Sequence, residues 1–127
     1  MKHKNQFLGA IAILLVTTVI SAFGAHAIKP KLTVEQINSL DTATLFSMVH
    51  GLAIILLCYV EFKNQNWVLA LLLAGTIAFS GSIYAIQIFR FFGFEIQKII
   101  WPITPIGGLL LILAWSMILI YGKTIKH

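Results

Sequence analysis

The chain has 127 residues, of which 59% are hydrophobic and only 10% are charged, whereas an ordinary soluble domain carries about 25% charged residues. A soluble chain of this length could not cover so much apolar side chain with polar surface, so a soluble domain is excluded and the solvent is lipid. The lysine and arginine residues that give the chain its net charge of +5 lie beside the apolar runs. They form no basic patch of the kind that binds nucleic acid. We therefore expect these charges to meet the anionic headgroups of the lipid bilayer, and we expect no nucleic-acid partner.

Four apolar runs predict four transmembrane helices within a single integral membrane domain, residues 1–127. A helix of about 20 residues is about 30 Å long, which is enough to cross the hydrocarbon core. The predicted spans cover about residues 7–28, 44–62, 67–89 and 105–121. The expected fold class is an all-α membrane protein, a bundle of four transmembrane helices.

The first run also has features of a secretory signal peptide. Lys2 and Lys4 precede it, and the triplet Ala25-His26-Ala27 has the small-x-small form of a cleavage site. Its length of about 22 residues is nevertheless sufficient for a full span. We therefore expect an uncleaved first helix.

The connection between the first two spans carries a strong helix-start signal. The triplet at residues 29–31, Lys-Pro-Lys, ends the first helix because proline cannot continue it and the lysines need water. Thr33 and Gln36 then have the spacing of a capping box. This pattern predicts a short amphipathic helix over residues 34–41, lying on the membrane surface. The same residues are also compatible with a helix that continues directly into the second span.

The fourth span is predicted to start with Thr104 as its N-cap residue and Pro105 at its first helical position. Four spans place both termini on one side of the membrane, here called the terminus side; the other is the loop-one side. Five basic residues on the terminus side and four opposite favour cytoplasmic termini. The former are Lys2, Lys4, Lys63, Lys123 and Lys126, and the latter are Lys29, Lys31, Arg90 and Lys98.

Polar residues from all four spans are predicted to gather in the loop-one half of the membrane. Polar groups in hydrocarbon need partners within the protein, because no water is available there. Helical spacing puts the polar residues of the third span on one face. We also expect His26 and His50 to lie in one layer, because they are placed at similar depth on adjacent antiparallel spans. The candidate polar cluster consists of His26, His50, Ser80, Tyr84, Gln87 and Thr104.

Two intramembrane histidines admit several functions. His26 and His50 could supply the two axial ligands of a b-type haem, but nothing else in the sequence marks a haem, and no cofactor is predicted. A metal site would need a third ligand, which is missing at that depth, so none is expected. A proton relay or ligand site is a further hypothesis. The remaining interpretation is structural, with each histidine hydrogen-bonded to Tyr84, Thr104 or a backbone carbonyl.

Small residues are expected to serve helix packing, because they allow two backbones to approach closely. A stripe of small residues on the third span, opposite its polar face, predicts that this span lies centrally in the bundle. Cys58 is the only cysteine and is expected to be a small buried hydrophobe. The glycines assigned to packing are Gly24, Gly81, Gly107 and Gly108.

Four short segments resemble the family catalogued as domain of unknown function 423, small bacterial inner-membrane proteins with a eukaryotic relative called transmembrane protein 256. The segments are residues 22–26 (AFGAH), 48–53 (MVHGLA), 79–84 (FSGSIY) and 103–108 (ITPIGG). The resemblance covers nearly the whole chain, although Val49 stands where the family usually has tyrosine and the loop over 90–100 is longer. It implies a multi-pass helical protein of the bacterial cytoplasmic membrane and supplies no activity, substrate or cofactor.

Two functions follow as hypotheses. The first is a non-enzymatic component that packs within a larger membrane complex or a homo-oligomer. The alternative is a small carrier or channel that uses the polar cluster. An enzyme is not favoured, because the sequence offers no pair of carboxylates, nucleophile–base pair or pair of cysteines for catalysis.

Overall fold

The computed structural model describes residues 1–126 and consists of α-helices joined by short connections. The helices are α1 (Lys4–Ala27), α2 (Val34–Leu57), α3 (Gln65–Phe91), α4 (Gln97–Ile100) and α5 (Ile103–Tyr121). Single 3₁₀ turns at Lys29–Lys31 and Gly122–Thr124 follow α1 and α5. The segments that contain α1, α2, α3 and α5 are each long and apolar enough to cross a membrane. The prediction of an all-α bundle of four spanning helices is therefore confirmed.

The start of α2 differs from the expected start of the second span. The predicted capping box is present: Thr33 Oγ1 accepts from the Gln36 N–H at 3.3 Å, and Gln36 Oε1 accepts from the Thr33 N–H at 3.0 Å. From this cap the helix continues without a break to Leu57, so residues 34–41 are its first turns and not a separate surface helix. Because α2 begins at Val34 and not at residue 44, it is longer at its loop-one end by about 15 Å.

The start of α5 corrects a second expectation. The helix begins at Ile103, its N-cap residue is Pro102, and no side chain caps it. Thr104 is therefore not the N-cap residue. Its hydroxyl is instead hydrogen-bonded to the Ser82 hydroxyl of α3, at 2.5 Å. Pro105 is the third residue of the helix and not, as predicted, the first. It still lies in the first turn, where the N–H that proline lacks would have no partner within the helix.

The spanning helices form a row with α3 near its centre. α3 packs along α5 on one side and along α2 on the other, and α2 in turn packs against α1, which touches α3 much less. The central position of α3 agrees with the prediction made from the stripe of small residues on this span. The outer helices α1 and α5 consequently expose most of their apolar side chains to lipid.

The terminus side is tied together by backbone hydrogen bonds. The Lys126 N–H donates to the Glu61 carbonyl at 2.7 Å, and the Glu61 N–H donates back to Lys126 at 3.1 Å. The Lys63 N–H also donates to Thr124 Oγ1, at 3.0 Å. The segment after α5 thus lies against the connection between α2 and α3.

The loop-one side is held by contacts of the first connection. Lys29 forms an ion pair with Asp41 of α2, with Nζ 2.8 Å from Oδ1. The Lys31 ammonium lies 4.7 Å from the centre of the Phe91 ring at the end of α3. Both contacts hold the first connection against the helices that follow it.

Close backbone contact between α3 and α5 occurs at Gly107. A Cβ atom at this position would lie 2.8 Å from Phe79 Cα and would overlap the Phe79 backbone nitrogen. Two glycines not singled out from the sequence also lie in close contacts: a Cβ on Gly75 would lie 2.9 Å from the Leu111 side chain, and one on Gly51 would lie 2.8 Å from Leu14. Both are buried at helix contacts.

The other three predicted packing glycines behave differently. A Cβ on Gly108 would make ordinary contact with the Phe79 ring at 3.8 Å. A Cβ on Gly24 or Gly81 would meet no atom of another spanning helix within 4 Å. The expectation of close helix packing is therefore wrong for Gly24 and Gly81.

The substitution Gly107→Ala is expected to destabilise the fold by about 3 kcal/mol or more, because the new methyl group meets backbone that cannot move aside. Gly108→Ala, one residue along the same helix, is the matched control and should change stability by less than about 1 kcal/mol. Thermal unfolding of both variants in detergent measures the difference. Equal stability of the two variants would contradict the close approach at Gly107.

Candidate functional site

Three polar contacts join neighbouring helices in the loop-one half. The Tyr84 and Thr44 hydroxyls are hydrogen-bonded at 2.8 Å, linking α3 to α2. Ser80 Oγ donates to the Ala43 carbonyl of α2 at 2.9 Å. The Ser82–Thr104 contact links α3 to α5 in the same way. Of the predicted cluster, Ser80, Tyr84 and Thr104 therefore lie in this half, and each is bonded to the backbone or side chain of another helix.

Gln87 belongs to a second, more superficial group at the loop-one end of α3. Arg90 donates to Gln87 Oε1 at 3.1 Å, to Gln97 Oε1 at 2.7 Å, and through Nε to Glu95 at 3.1 Å. A polar cavity of about 390 Å³ opens beside this group, between the starts of α2 and α4. Glu95 balances the charge of the Arg90 guanidinium. Because Glu95 lies in the loop after α3, this ion pair joins the end of α3 to that loop.

His26 and His50 do not lie in one layer. His26 is exposed in the last turn of α1, at the loop-one end. His50 is sixteen residues beyond Val34, the start of α2, and therefore about 24 Å from the loop-one end of its helix. The expectation was wrong because the second helix starts earlier than its apolar run. The two histidines are too far apart in depth to hold one ligand between them.

Both ring nitrogens of His50 are occupied. Trp115 Nε1–H donates to His50 Nε2 at 3.0 Å, so that nitrogen is the acceptor. Nδ1 therefore carries the hydrogen, which it donates to the Phe46 carbonyl at 2.8 Å. These two bonds fix the ring in one tautomer and link α2 to α5. An iron or other metal ion at His50 would have to break one of them.

An aromatic stack surrounds this histidine. The Phe46 ring lies 4.4 Å from the Phe79 ring and 5.4 Å from the His50 ring, centre to centre, with small interplanar angles in both cases. The Trp115 ring meets His50 edge-on at 5.9 Å. The stack runs from Phe79 of α3 through Phe46 and His50 of α2 to Trp115 of α5. Within residues 1–126, no three His, Cys, Asp or Glu side chains are grouped so as to hold a metal ion.

Sequence reasoning missed several partners. It named Tyr84, Thr104 and His50, but not Thr44, Ser82 and Trp115, to which they are bonded. For Trp115 a signal existed. Its indole N–H lies inside an apolar run, well before the end of the span, and therefore requires an acceptor of similar depth on another helix.

His3 is a further residue whose position was not expected. It is only 2% exposed, and its carbonyl lies 3.9 Å from Cys58 Sγ. Gln65 packs nearby and donates to the Leu57 and Val60 carbonyls, which closes the end of α2. Cys58 is half-buried rather than buried, and desolvation raises the pKa of its thiol.

The Tyr84–Thr44 bond can be tested with a double-mutant cycle. Tyr84→Phe and Thr44→Val should each destabilise by about 0.5–1.5 kcal/mol, and the double variant by clearly less than the sum, because both remove one bond. Unfolding in detergent measures these values. Tyr84→Phe combined with His50→Ala should be additive, since the two residues lie at different depths.

Thr42→Val is the matched control for Thr44→Val. Thr42 is on the same helix, but its hydroxyl donates to the Asn38 carbonyl of its own helix. The control should change stability by less than about 0.5 kcal/mol. Coupling between Tyr84→Phe and Thr42→Val as strong as with Thr44→Val would contradict the assigned bond.

Comparison with known proteins places this architecture in a family. The family described as protein of unknown function DUF423 matches residues 20–108. A UPF0382 membrane protein of Staphylococcus aureus (strain bovine RF122 / ET3-1) is 37% identical over 117 residues, which cover 89% of each chain. One of Staphylococcus saprophyticus is 38% identical over 117 residues, 89% of this chain and 91% of the relative. No solved structure gives a significant match. The chain therefore belongs to the DUF423 family and is a membrane protein, as its four spans require.

Proposed function

We propose that this protein is a non-enzymatic component of the bacterial cytoplasmic membrane that acts by packing against a further membrane protein or a second copy of itself. The observation that carries this proposal is the use of the interior polar groups. Tyr84, Ser80, Thr104 and His50 are each bonded to another helix, so their hydrogen bonds stabilise the row of helices. The surfaces left for contact are the apolar faces of the outer helices.

A carrier or channel is less well supported. Such a protein needs a path of polar groups or water across the membrane. The polar cavity beside Arg90 lies at the loop-one end, but the half nearer the termini contains a compact apolar core. Its buried residues are Ala10, Ile54, Val68, Leu69, Leu72, Leu111 and Ala114. A path through this core would require the helices to separate.

The proposed orientation places both termini in the cytoplasm, in keeping with the distribution of lysine and arginine. In a Cys58→Ser background, Lys31→Cys should react with a membrane-impermeant maleimide in cells whose outer layers have been removed and whose cytoplasmic membrane is intact. Lys63→Cys and Lys126→Cys should react only after the membrane is opened, because both lie on the terminus side. Labelling of Lys63→Cys and not Lys31→Cys in intact cells would reverse the orientation, and labelling of all three would contradict the four-span topology.

The proposed packing partner can be sought with a photo-reactive amino acid. Leu15 of α1 and Leu109 of α5 are similarly exposed, at 65% and 66%, and either position should yield a cross-linked protein band of defined mass. Leu111 is the matched control on α5, because it is only 3% exposed and should cross-link within the chain. Adducts with lipid alone at both exposed positions would contradict a protein partner.

A further inference from the structure

A cavity of about 290 Å³, here called the terminus-side cavity, lies where three helix ends meet. His3 directly precedes α1, Cys58 directly follows α2, and Gln65 is the first residue of α3. All three line the cavity, and Lys2 and Glu61 also border it. Because the spanning helices start and end here, the cavity lies at the depth of the lipid headgroups and not of the acyl chains.

Gln65 supplies a buried acceptor to this cavity. Its side chain is only 4% exposed, and Nε2 donates to the Leu57 carbonyl at 2.7 Å and to the Val60 carbonyl at 2.6 Å. These bonds fix the orientation of the amide, since the reversed amide would place Oε1 against two carbonyl oxygens. Oε1 has no hydrogen-bond partner among residues 1–126. It can only accept, so it requires a group that donates.

His3 supplies a second buried polar atom. The residue is 2% exposed, and its Nε2 has no hydrogen-bond partner within the described part of the chain. A ring nitrogen of histidine accepts or donates according to its tautomer, so Nε2 can serve beside Gln65 Oε1 as a second acceptor. Because buried polar atoms are nearly always hydrogen-bonded, two such atoms beside one cavity point to a polar ligand that donates.

The charges at the cavity restrict the ligand further. Lys2 and Glu61 are both exposed, border the cavity from opposite signs, and take part in neither of the ion pairs found among residues 1–126. A simple cation would be repelled by Lys2 and a simple anion by Glu61. A ligand that carries both charges is attracted by both residues.

The chemistry of the acceptors identifies the positive group. A primary ammonium has three N–H donors, which match Gln65 Oε1, His3 Nε2 and the Glu61 carboxylate, whereas a quaternary ammonium has none. At about 30 Å³ per water-sized group, 290 Å³ holds roughly ten non-hydrogen atoms. A phosphate joined by a two-carbon link to a primary ammonium has this size, carries both charges and occurs at headgroup depth.

We propose that the terminus-side cavity binds a phosphoethanolamine group, such as the headgroup of phosphatidylethanolamine. The ammonium donates to Gln65 Oε1, to the Glu61 carboxylate and to His3 Nε2, with the histidine hydrogen on Nδ1. Lys2 pairs with the phosphate, and the acyl chains extend along the exposed apolar face of α1 into the bilayer. This ligand goes beyond the proposed packing function and does not depend on it.

The first test compares lipids on the wild-type chain. Native mass spectrometry of the purified full-length protein in detergent measures binding of phosphatidylethanolamine, phosphatidylcholine and phosphatidylglycerol with identical acyl chains. Phosphatidylcholine differs from phosphatidylethanolamine only in the methyl groups on its nitrogen, which leave it no N–H donor. Phosphatidylethanolamine should therefore bind at least about tenfold more tightly than either of the others.

The second test uses variants that are first shown to unfold at a temperature near that of the wild type. His3→Phe keeps an aromatic ring but lacks Nε2, and Glu61→Gln removes the charge and keeps the shape. Each should weaken phosphatidylethanolamine binding roughly tenfold and leave phosphatidylcholine unchanged. His26→Phe and Glu35→Gln make the same changes at exposed residues of the loop-one end and should bind like the wild type.

Free O-phosphoethanolamine separates the two sources of this group. If it displaces the bound lipid at a comparable concentration, the site is supported and its ligand is a soluble compound. If the lipid is retained, the site is supported and its ligand is the lipid headgroup.

Three results would overturn the proposal. Equal binding of phosphatidylethanolamine and phosphatidylcholine would mean that no N–H donor is recognised, and this comparison needs no variant. Tighter binding of phosphatidylglycerol would assign the cavity to an anion. Equal binding of phosphatidylethanolamine by the wild type, His3→Phe and Glu61→Gln would place the lipid elsewhere. The isolated chain is used throughout, so none of these results bears on the packing partner.

Discussion

The contact of Gly107 with the backbone at Phe79 is the constraint on which the arrangement of the helices depends. It brings α5 so close to α3 that short side chains reach across, and the hydroxyls of Ser82 and Thr104 meet. It also fixes Phe79, whose ring stacks on Phe46. Without hydrophobic force between helices in lipid, such close packing and the bonds it permits are the main source of association.

The same contact determines the surroundings of His50. Phe46 of α2 stacks on its ring, and the Phe46 carbonyl accepts its Nδ1–H. Trp115 of α5 donates its indole N–H to Nε2. The histidine therefore joins two helices that do not pack extensively against each other. A residue type that is often catalytic serves here as a rigid connector with two defined bonds.

Sequence reasoning predicted the elements well and their starts less well. Hydropathy locates the apolar part of a span, but a helix continues wherever backbone bonds and a cap support it, and the Thr33–Gln36 cap added ten residues to α2. Because of this one difference, His50 lies further from the loop-one end of its helix than expected and is not at the depth of His26. Thr104 failed as a cap because a hydroxyl on another helix competed for it, and a local motif cannot reveal such a competitor.

The candidate site shows the same limit. Helical spacing correctly placed Ser80, Tyr84 and Gln87 on one buried face of α3, since periodicity depends on one helix alone. It could not identify the partners Thr44 and Ala43, because these depend on the relative register of two helices.

The pairing of Glu61 with Lys126 has a consequence for the order of assembly. The two partners are 65 positions apart, and two spanning helices lie between them. The contact cannot form until α3 and α5 are both inserted and packed, so it is among the last to be made. The α2–α3 connection therefore stays exposed to water and to proteases during insertion, until the segment after α5 packs against it. Protection of this connection then reports a completely inserted chain.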